Sequence, residues 1–203
     1  MTTSEAKAIT GGLSNPSKMP GKAYNIPAQA CKVGSRLVSV VGSVCHDCYA
    51  LKGRYRFPNV RNALQRRLEA LEHPQWVEAM IALINSQRSD YFRWHDSGDI
   101  QDVAHLERIV AVAVGTPRIS HWLPTREYKI VAAYNKQGGE FPDNLTVRLS
   151  GHMVDGPAPE LGLPTSTVST GEFNCPASLQ DNNCGDCRAC WDSSVPNVSY
   201  HYH

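Results

Sequence analysis

The stretch Tyr91-Phe92-Arg93-Trp94-His95-Asp96-Ser97-Gly98-Asp99 (YFRWHDSGD) decides the fold predicted for this chain. Its first five residues are mostly aromatic and predict a strand, and the polar, turn-forming residues after them end it. Residues 103–114 then show the apolar spacing of an amphipathic helix, and residues 118–123 (RISHWL) form a second short apolar run. Strand, helix and strand in this order predict a parallel βαβ unit.

The same alternation extends to both sides of this unit. Further helices are predicted at residues 60–71, after Pro74 and at residues 128–134, and further strands at residues 36–41 (RLVSVV), at residues 145–150 (LTVRLS) and around Val168. The predicted fold class is therefore α/β, either a partial (βα) barrel or an open parallel sheet, with a cysteine-rich C-terminal metal-binding tail.

Three regions of the chain differ in composition. Residues 1–30 are rich in Gly, Ser, Pro and Asn and predict an extended N-terminal arm. Residues 31–170 form the predicted α/β core, and residues 171–203 form a cysteine-rich, cluster-binding tail packed on that core. The last four residues (YHYH) are expected to fray. A chain of 203 residues can bury a core without cross-links, so its seven cysteines need another explanation.

The composition predicts a cytoplasmic protein. No window approaches the roughly 18 to 20 apolar residues that a membrane span requires, and the first residues lack the apolar core of a secretion signal. Disulfides are disfavoured in a reducing compartment, so closely spaced cysteines there are better explained as metal or cluster ligands. The net charge of +1 excludes a generally basic surface but not a local basic patch. The oligomeric state is not indicated.

Four cysteines near the end of the chain have the spacing of an iron–sulfur ligand set. Cys184, Cys187 and Cys190 are separated by two residues each, and Cys175 is followed by proline. Three thiolates on one tight loop with a remote fourth are typical of a [4Fe-4S] cluster. Zinc is the alternative, because it also accepts four thiolates, although usually from two separated Cys-x2-Cys pairs.

The other three cysteines are Cys31, Cys45 and Cys48, in the order Cys-x13-Cys-x2-Cys. Three thiolates leave one ligand position open or filled by another side chain, such as His46. An open iron is what a catalytic cluster needs, because substrate or cofactor must reach the metal. The alternative is a closed structural site, so the cysteines predict one [4Fe-4S] cluster or two, with zinc as the other metal.

Polar side chains follow the predicted strands, where ligands gather in parallel α/β folds. We expect these side chains and the first cysteine group to converge on one edge of the sheet, with Asp96, Asp99, Arg126 and Arg148 as catalytic residues and Thr125 binding a cofactor. His95 beside Asp96 and Asp99 could instead serve a metal-dependent nuclease. A third alternative is a hydrogen-bonded rim that only orders the loops.

A basic and aromatic stretch lies between Tyr49 and Arg67. It contains no acidic residue, and its cations are Lys52, Arg54, Arg56, Arg61, Arg66 and Arg67. Such a stretch could follow a phosphate backbone and stack bases, which predicts nucleic acid as a partner. Alternatively, it is a solvated helix face whose arginines balance the charge of a thiolate cluster.

Five segments together resemble a known family. They are residues 17–21 (SKMPG), 42–50 (GSVCHDCYA), 92–99 (FRWHDSGD), 121–127 (HWLPTRE) and 184–191 (CGDCRACW). Over nearly its whole length the chain resembles the bacteriophage gene product eighty-eight family. The resemblance implies a phage protein in the host cytoplasm, and it implies no activity.

The layout is also similar, more distantly, to the front half of a radical S-adenosylmethionine (SAM) enzyme. In that superfamily a strand leads into a three-cysteine loop whose cluster binds SAM, and the second strand ends in a motif that contacts the amino group of SAM. The resemblance implies cluster ligation by Cys45 and Cys48 and SAM binding by Ser97, Gly98 and Asp99. The superfamily places all three cysteines after the first strand, commonly as Cys-x3-Cys-x2-Cys, whereas Cys31 precedes the strand predicted at residues 36–41. With three or four predicted βα units, the barrel is also shorter than is usual in that superfamily.

These observations predict a phage-type iron–sulfur protein with a radical-SAM-like partial barrel, which would catalyse reductive SAM-type chemistry if it is an enzyme. One alternative is a non-catalytic module that is stabilised by bound metal and binds nucleic acid. The other is a metal-dependent nuclease. The chain contains no P-loop, no G-x-G-x-x-G, no G-x-S-x-G and no H-E-x-x-H. Nucleotide kinases, Rossmann oxidoreductases, α/β-hydrolases and zincins are therefore disfavoured.

Overall fold

A computed structural model describes residues 1–202, which form six helices and six strands. The helices are α1 (Thr3–Thr10), α2 (Lys32–Leu37), α3 (Pro58–Ala70), α4 (Trp76–Asn85), α5 (Val103–Val114) and α6 (Tyr128–Lys136). The strands are β1 (Lys22–Tyr24), β2 (Tyr91–Trp94), β3 (Ser120–Thr125), β4 (Leu145–Val154), β5 (Thr165–Ser169) and β6 (Asn197–His201).

The six strands form one sheet in which every neighbouring pair is parallel. Their order in space is their order in the chain, from β1 at one edge to β6 at the other. Sequential order is typical of βα barrels, whereas doubly wound sheets reverse direction at a switch point. The predicted α/β class is confirmed, and all six strands end at the same edge of the sheet.

The two faces of the sheet are covered by different parts of the chain. Phe92 and Trp94 of β2, with Leu145 and Val147 of β4, point into the main core beneath the helices. On the opposite face Trp122 of β3 packs in a second cluster with Val198 of β6 and with Cys190 and Trp191 from the tail. The cysteine-rich tail therefore takes the place that a second helical layer would occupy.

The predicted first strand is wrong. Residues 36–41 contain the end of α2 and a turn, and Val41 is 79% exposed. The first strand is β1, which lies within the segment predicted as an extended arm, and Tyr24 in it is completely buried. The same segment contains α1, whose first turn is fixed by a capping box between Thr2 and Glu5. Neither element has a long apolar period, which is why the sequence did not indicate them.

The remaining elements follow the sequence more closely. The predicted helices correspond to α3 through α6 and the predicted strands to β2 through β5, with shifted ends. The expectation that the last residues fray is wrong for residues 200 and 201, because β6 pairs along its whole length with β5. His203 lies outside the described residues. None of the helices within residues 1–202 combines the length and the apolar character needed to cross a membrane.

Candidate functional site

The three-cysteine loop lies directly after β1, at the carboxyl edge of the sheet. Two contacts fix its second half to an extension of β4: the backbone N–H of Val44 donates to the carbonyl of His152 at 2.9 Å, and that of Val154 donates to Gly42 at 2.9 Å. A change of register in β4 between Ser150 and Val154 accompanies this pairing. The three-cysteine loop is thus held to the carboxyl-terminal end of β4.

Gly34 leaves an open space between two of the thiols. A methyl group added there would lie 3.6 Å from the Cys31 sulfur and 3.7 Å from the Cys45 sulfur, so the two sulfurs cannot be farther apart than the sum of these distances. Cys48 is close enough to raise the pKa of both thiols, although burial is the larger cause of each increase. The Cys31 and Cys45 thiols therefore border one space.

Glu127 connects β3 to this loop. Its carboxylate is buried, and Oε1 accepts hydrogen bonds from the backbone N–H groups of Lys32 at 2.9 Å and Val33 at 2.7 Å. These are free N–H groups in the first turn of α2, immediately after Cys31. Glu127 ends the motif at residues 121–127, but the sequence alone does not reveal this contact, because it joins residues that are far apart in the chain.

Asp99 connects the ends of β2 and β3. Its Oδ1 accepts from the Thr125 hydroxyl at 2.6 Å and from the N–H of Ile100 at 2.8 Å, and its Oδ2 accepts from the N–H of Arg126 at 2.9 Å. Burial raises the pKa of Asp99 to about 6, although the hydrogen bonds act in the opposite direction. The structure thus brings Asp99, Thr125 and Arg126 together, as the sequence predicted, with Asp99 as the buried anchor of the two strand ends.

Ser97 and Gly98 hold the loop after β2 against the loop after β1. The Ser97 hydroxyl donates to the carbonyl of Ile26 at 2.9 Å. Gly98 has a positive φ of 85°, and a methyl group there would lie 2.2 Å from the Ile26 side chain. The predicted cofactor-binding residues therefore shape the rim through close packing that only glycine allows at residue 98.

Asp96 faces a different group of residues from Asp99. Its carboxylate accepts a hydrogen bond from the Tyr55 hydroxyl at 2.7 Å and pairs with Arg93 at 3.2 Å. The Tyr49 hydroxyl donates to the backbone carbonyl of Asp96 and lies 3.3 Å from its carboxylate. Arg93 in turn lies over the Trp122 ring, 4.5 Å from its centroid, on the face covered by the tail. Asp96 and Arg93 therefore link the three-cysteine loop to the tail side of the sheet.

His95 does not join either carboxylate. It is 4% exposed, lies next to the rings of Trp94 and His105, and neither of its ring nitrogens has a hydrogen-bond partner. Burial lowers the pKa of His95 well below its usual value. His95, Asp96 and Asp99 thus have three separate environments.

Arg148 is placed away from the strand-end residues. It is completely buried on the tail face of β4, and its guanidinium donates four hydrogen bonds of 2.8 to 3.1 Å to backbone carbonyls. The acceptors are the carbonyls of Thr165, Ala189, Asp192 and Val195. Arg148 therefore anchors the tail, which is a different position from the catalytic one that the sequence suggested.

The four cysteines of the tail lie near one another. Cys175 and Cys187 each influence the pKa of Cys184, and Cys175 also influences that of Cys190. Burial raises the pKa of Cys190 to about 11, and its sulfur lies 3.3 Å from the hydroxyl of Tyr200 in β6. All seven cysteines are free thiols. Within residues 1–202, no three or more His, Cys, Asp or Glu side chains are arranged around a single metal-ion position.

The predicted basic stretch is divided by the fold. Arg67 is 8% exposed, and its Nε donates to the carbonyl of Gly12 at 2.8 Å. Arg66 lines a cleft that also contains Glu69 and Glu72, on the side of α3 near α1. Lys52, Arg54 and Arg56 lie instead in the turns that follow Cys48. The six cations therefore do not form one surface.

The fold and this site define the class of the protein: a parallel α/β protein with one cysteine loop at the strand ends and a second cysteine group in a tail across the sheet. The family model described as Gene product 88 matches residues 1–193, and the chain belongs to that family, as the sequence motifs predicted. The matched residues include all seven cysteines. Searches of curated proteins and of solved structures each gave no match.

Proposed function

We propose that this member of the Gene product 88 family is an iron–sulfur protein that carries out reductive SAM-type chemistry at the carboxyl edge of its sheet. Cys31, Cys45 and Cys48 would hold a [4Fe-4S] cluster with one open iron position, and Cys175, Cys184, Cys187 and Cys190 would hold a second [4Fe-4S] cluster. The proposed compartment is the reducing cytoplasm of the host, which keeps the seven thiols free.

The single observation that carries the proposal is the position of β1. Because β1 ends at Tyr24, all three cysteines of the first group follow the first strand. The strand predicted at residues 36–41, which conflicted with the similarity to radical SAM enzymes, is absent, whereas the spacing Cys-x13-Cys-x2-Cys still differs from the usual Cys-x3-Cys-x2-Cys of that superfamily. The second strand, β2, ends in the Ser97-Gly98-Asp99 motif beside the same loop, and the six parallel strands follow one another in sequential order.

The residues around the first group fit a thiolate-bound cluster. Thiolates are the ligands that iron–sulfur clusters use, and Gly34 leaves open the space that its neighbours Cys31 and Cys45 border. Burial raises the pKa of both thiols, so binding of a cation there would release their protons. When bound, such a cluster supplies an electron to the sulfonium of SAM at its open iron and so promotes cleavage of a carbon–sulfur bond.

The chain's own residues would position this chemistry. Glu127 holds the first turn of α2 and with it Cys31, and Asp99 fixes the ends of β2 and β3. The close contact of Gly98 with Ile26 brings the loop after β2 against the loop after β1. We propose that SAM lies along this edge, with its amino group at residues 97–99 and with Thr125 and Arg126 lining the site. Asp99 has both oxygens engaged within the protein, so its role is to shape the site.

The second group differs from the first in having four thiols. The tail that carries it is tied to the sheet by Arg148, and Cys190 is only 9% exposed. Four thiolates would leave no iron position open for a substrate, which suits an electron-transfer or structural role. Zinc is the competing occupant of this group, since it also binds four thiolates.

The experiment is anaerobic reconstitution followed by incubation with SAM and dithionite. Formation of 5′-deoxyadenosine and methionine, lost in Cys45→Ala, supports the proposal. Cys187→Ala is the matched control, because it changes one thiol of the other group, and we expect it to retain SAM binding. A cluster-replete wild-type protein that neither binds nor cleaves SAM would refute the reductive SAM chemistry.

The geometry does not favour the metal-dependent nuclease. Such an enzyme needs His95, Asp96 and Asp99 around one metal or water, yet these residues have three separate environments. We therefore do not propose it.

A further inference from the structure

Two aromatic side chains that are strongly exposed lie near each other at one cleft. They are Tyr49, which is 51% exposed, and Tyr202, which is 40% exposed. Tyr49 and Tyr202 line one open cleft of about 620 Å³ together with Tyr55, Lys52 and Arg54. The cleft therefore joins the turns after Cys48 to the residue that follows β6. Exposed aromatic side chains grouped in this way are typical of an interaction site.

The rings of Tyr49 and Tyr55, which both line the cleft, are held in fixed orientations. The hydroxyls of Tyr49 and Tyr55 both donate to Asp96, and the rings meet edge to face with centroids 5.9 Å apart. A ring fixed by its hydroxyl needs no further ordering when a ligand stacks on it, which lowers the entropic cost of binding. Asp96 thus holds a preformed aromatic surface.

The positive charge of the cleft is carried by arginines. Lys52 is paired with Asp47 at 2.5 Å, whereas Arg54 and Arg56 form no ion pair with any side chain among residues 1–202. Both arginines lie in the short turn between the cleft and α3. The cleft therefore offers aromatic faces beside the unneutralised guanidinium of Arg54, and Arg56 follows two residues later in the same turn. A ligand with flat rings and phosphate groups would satisfy both.

We infer that this cleft binds single-stranded nucleic acid. Unpaired bases would stack on the Tyr49 and Tyr202 rings, and backbone phosphates would pair with Arg54 and Arg56. A duplex would present no free base face to these rings. The inference uses only part of the basic stretch, because Arg67 is buried and Arg66 lies at another cleft. Its extension, that the bound strand is the substrate of the neighbouring cysteine site, rests on the proposed function.

The test is fluorescence anisotropy with a labelled single-stranded oligothymidylate over a series of salt concentrations. We expect Tyr202→Ala to weaken binding about tenfold, because base–aromatic stacking is worth about 1–3 kcal/mol per base. The double variant Arg54→Ala/Arg56→Ala should reduce the slope of log K against log salt by about 1.4, or about 0.7 for each phosphate contact. Arg66→Ala is the matched control and should bind like the wild type.

Several results would overturn the inference. They are absence of binding, equal binding by the wild type and both cleft variants, preference for a duplex of the same length, or binding to anionic vesicles in place of the oligonucleotide. The assay contains no SAM or reductant, and metal content is measured on the same samples. Failure to bind the oligonucleotide can therefore be distinguished from failure to hold an iron–sulfur cluster.

Discussion

The carboxylate of Glu127 accepts a 2.7 Å hydrogen bond from the backbone N–H of Val33, across 94 positions of sequence. This contact ties the end of β3 to the first turn of α2, and Cys31 immediately precedes that helix. The position of the first cysteine is therefore set by a residue of a different strand. The carboxyl edge of the sheet acts as one connected structure, in which the cysteine loop depends on the strand ends.

Replacing Glu127 by Ala should release the start of α2. Two N–H groups would lose their buried acceptor, so we expect the free energy of unfolding to fall by about 2 kcal/mol and iron at the first cysteine group to be lost. Urea unfolding and iron analysis measure the two effects. Glu127→Gln is the control, because its amide oxygen can still accept. Full iron content in Glu127→Ala would show that Cys31 is positioned independently.

Gly34→Ala should separate metal binding from folding. The added methyl group would occupy the space between the Cys31 and Cys45 sulfurs, and we expect the first cysteine group to lose its iron. The methyl group would also lie 3.0 Å from the Cβ of Cys31, and this close contact offsets part of the roughly 1 kcal/mol by which alanine is favoured over glycine within a helix, so the metal-free variant should fold about as well as the wild type.

Gly98→Ala is the control when iron content and stability to unfolding are measured for Gly34→Ala. Its positive φ and its close approach to Ile26 should make that variant unstable with or without metal. A Gly34→Ala protein with the iron content of the wild type would contradict our assignment of the space beside Gly34.

Arg148→Met should detach the tail from the sheet. Four backbone carbonyls would lose a charged donor in a buried position, and we expect a loss of at least about 3 kcal/mol in the free energy of unfolding. Limited proteolysis should then cleave between residues 170 and 196. Arg148→Lys retains the charge and reaches fewer carbonyls, so an intermediate loss is expected. If Arg148→Met were as stable and protease-resistant as the wild type, the anchoring role would be wrong.

The helix-covered core should be sensitive to acid. Burial lowers the pKa of His105 and of His121 to about 3, and that of His95 well below its usual value. The indole of Trp94 donates to Nδ1 of His121 at 3.2 Å, which requires that nitrogen to be unprotonated. As the pH falls below about 6.5, the unfolded chain takes up protons that the folded chain does not, so stability decreases.

Each of these histidines contributes a slope of about 1.4 kcal/mol per pH unit where only its unfolded form is protonated. Asp99 acts in the opposite direction between its ordinary pKa of 3.8 and its raised value of about 6, because the folded chain holds that proton. Chemical denaturation between pH 7 and 4.5 should show a net loss, with a shallower slope in His121→Gln. Constant stability over this range would contradict the buried neutral histidines.

The sequence predicted the central elements because their side chains have clear periods. Helices α3 and α5 show apolar spacing along the chain, and β4 alternates between the two faces of the sheet. Strand β1 has three residues, too few for an alternation, and its place is fixed by pairing with β2. The run at residues 36–41 has the composition of a strand, but its first two residues end α2 and the others form a turn.

The sequence predicted which residues form the site better than it predicted which of them are in contact. The convergence of Asp99, Thr125 and Arg126 could be inferred, because carboxyl ends of parallel strands meet at one edge. The separation of Asp96 from Asp99 could not, since it depends on the hydroxyls of Tyr49 and Tyr55. Tyr200, which lies beside Cys190, was expected to fray, and only its pairing within β6 places it there.

The most direct test of the central claim is the iron, sulfide and zinc content of anaerobically purified protein, measured for the wild type, Cys45→Ala and Cys187→Ala. The account predicts equimolar iron and sulfide in the wild type, with a different part of the iron lost in each variant because each removes one ligand group. A colourless protein that contains only zinc or no metal, or iron that is unaffected by both substitutions, would contradict it.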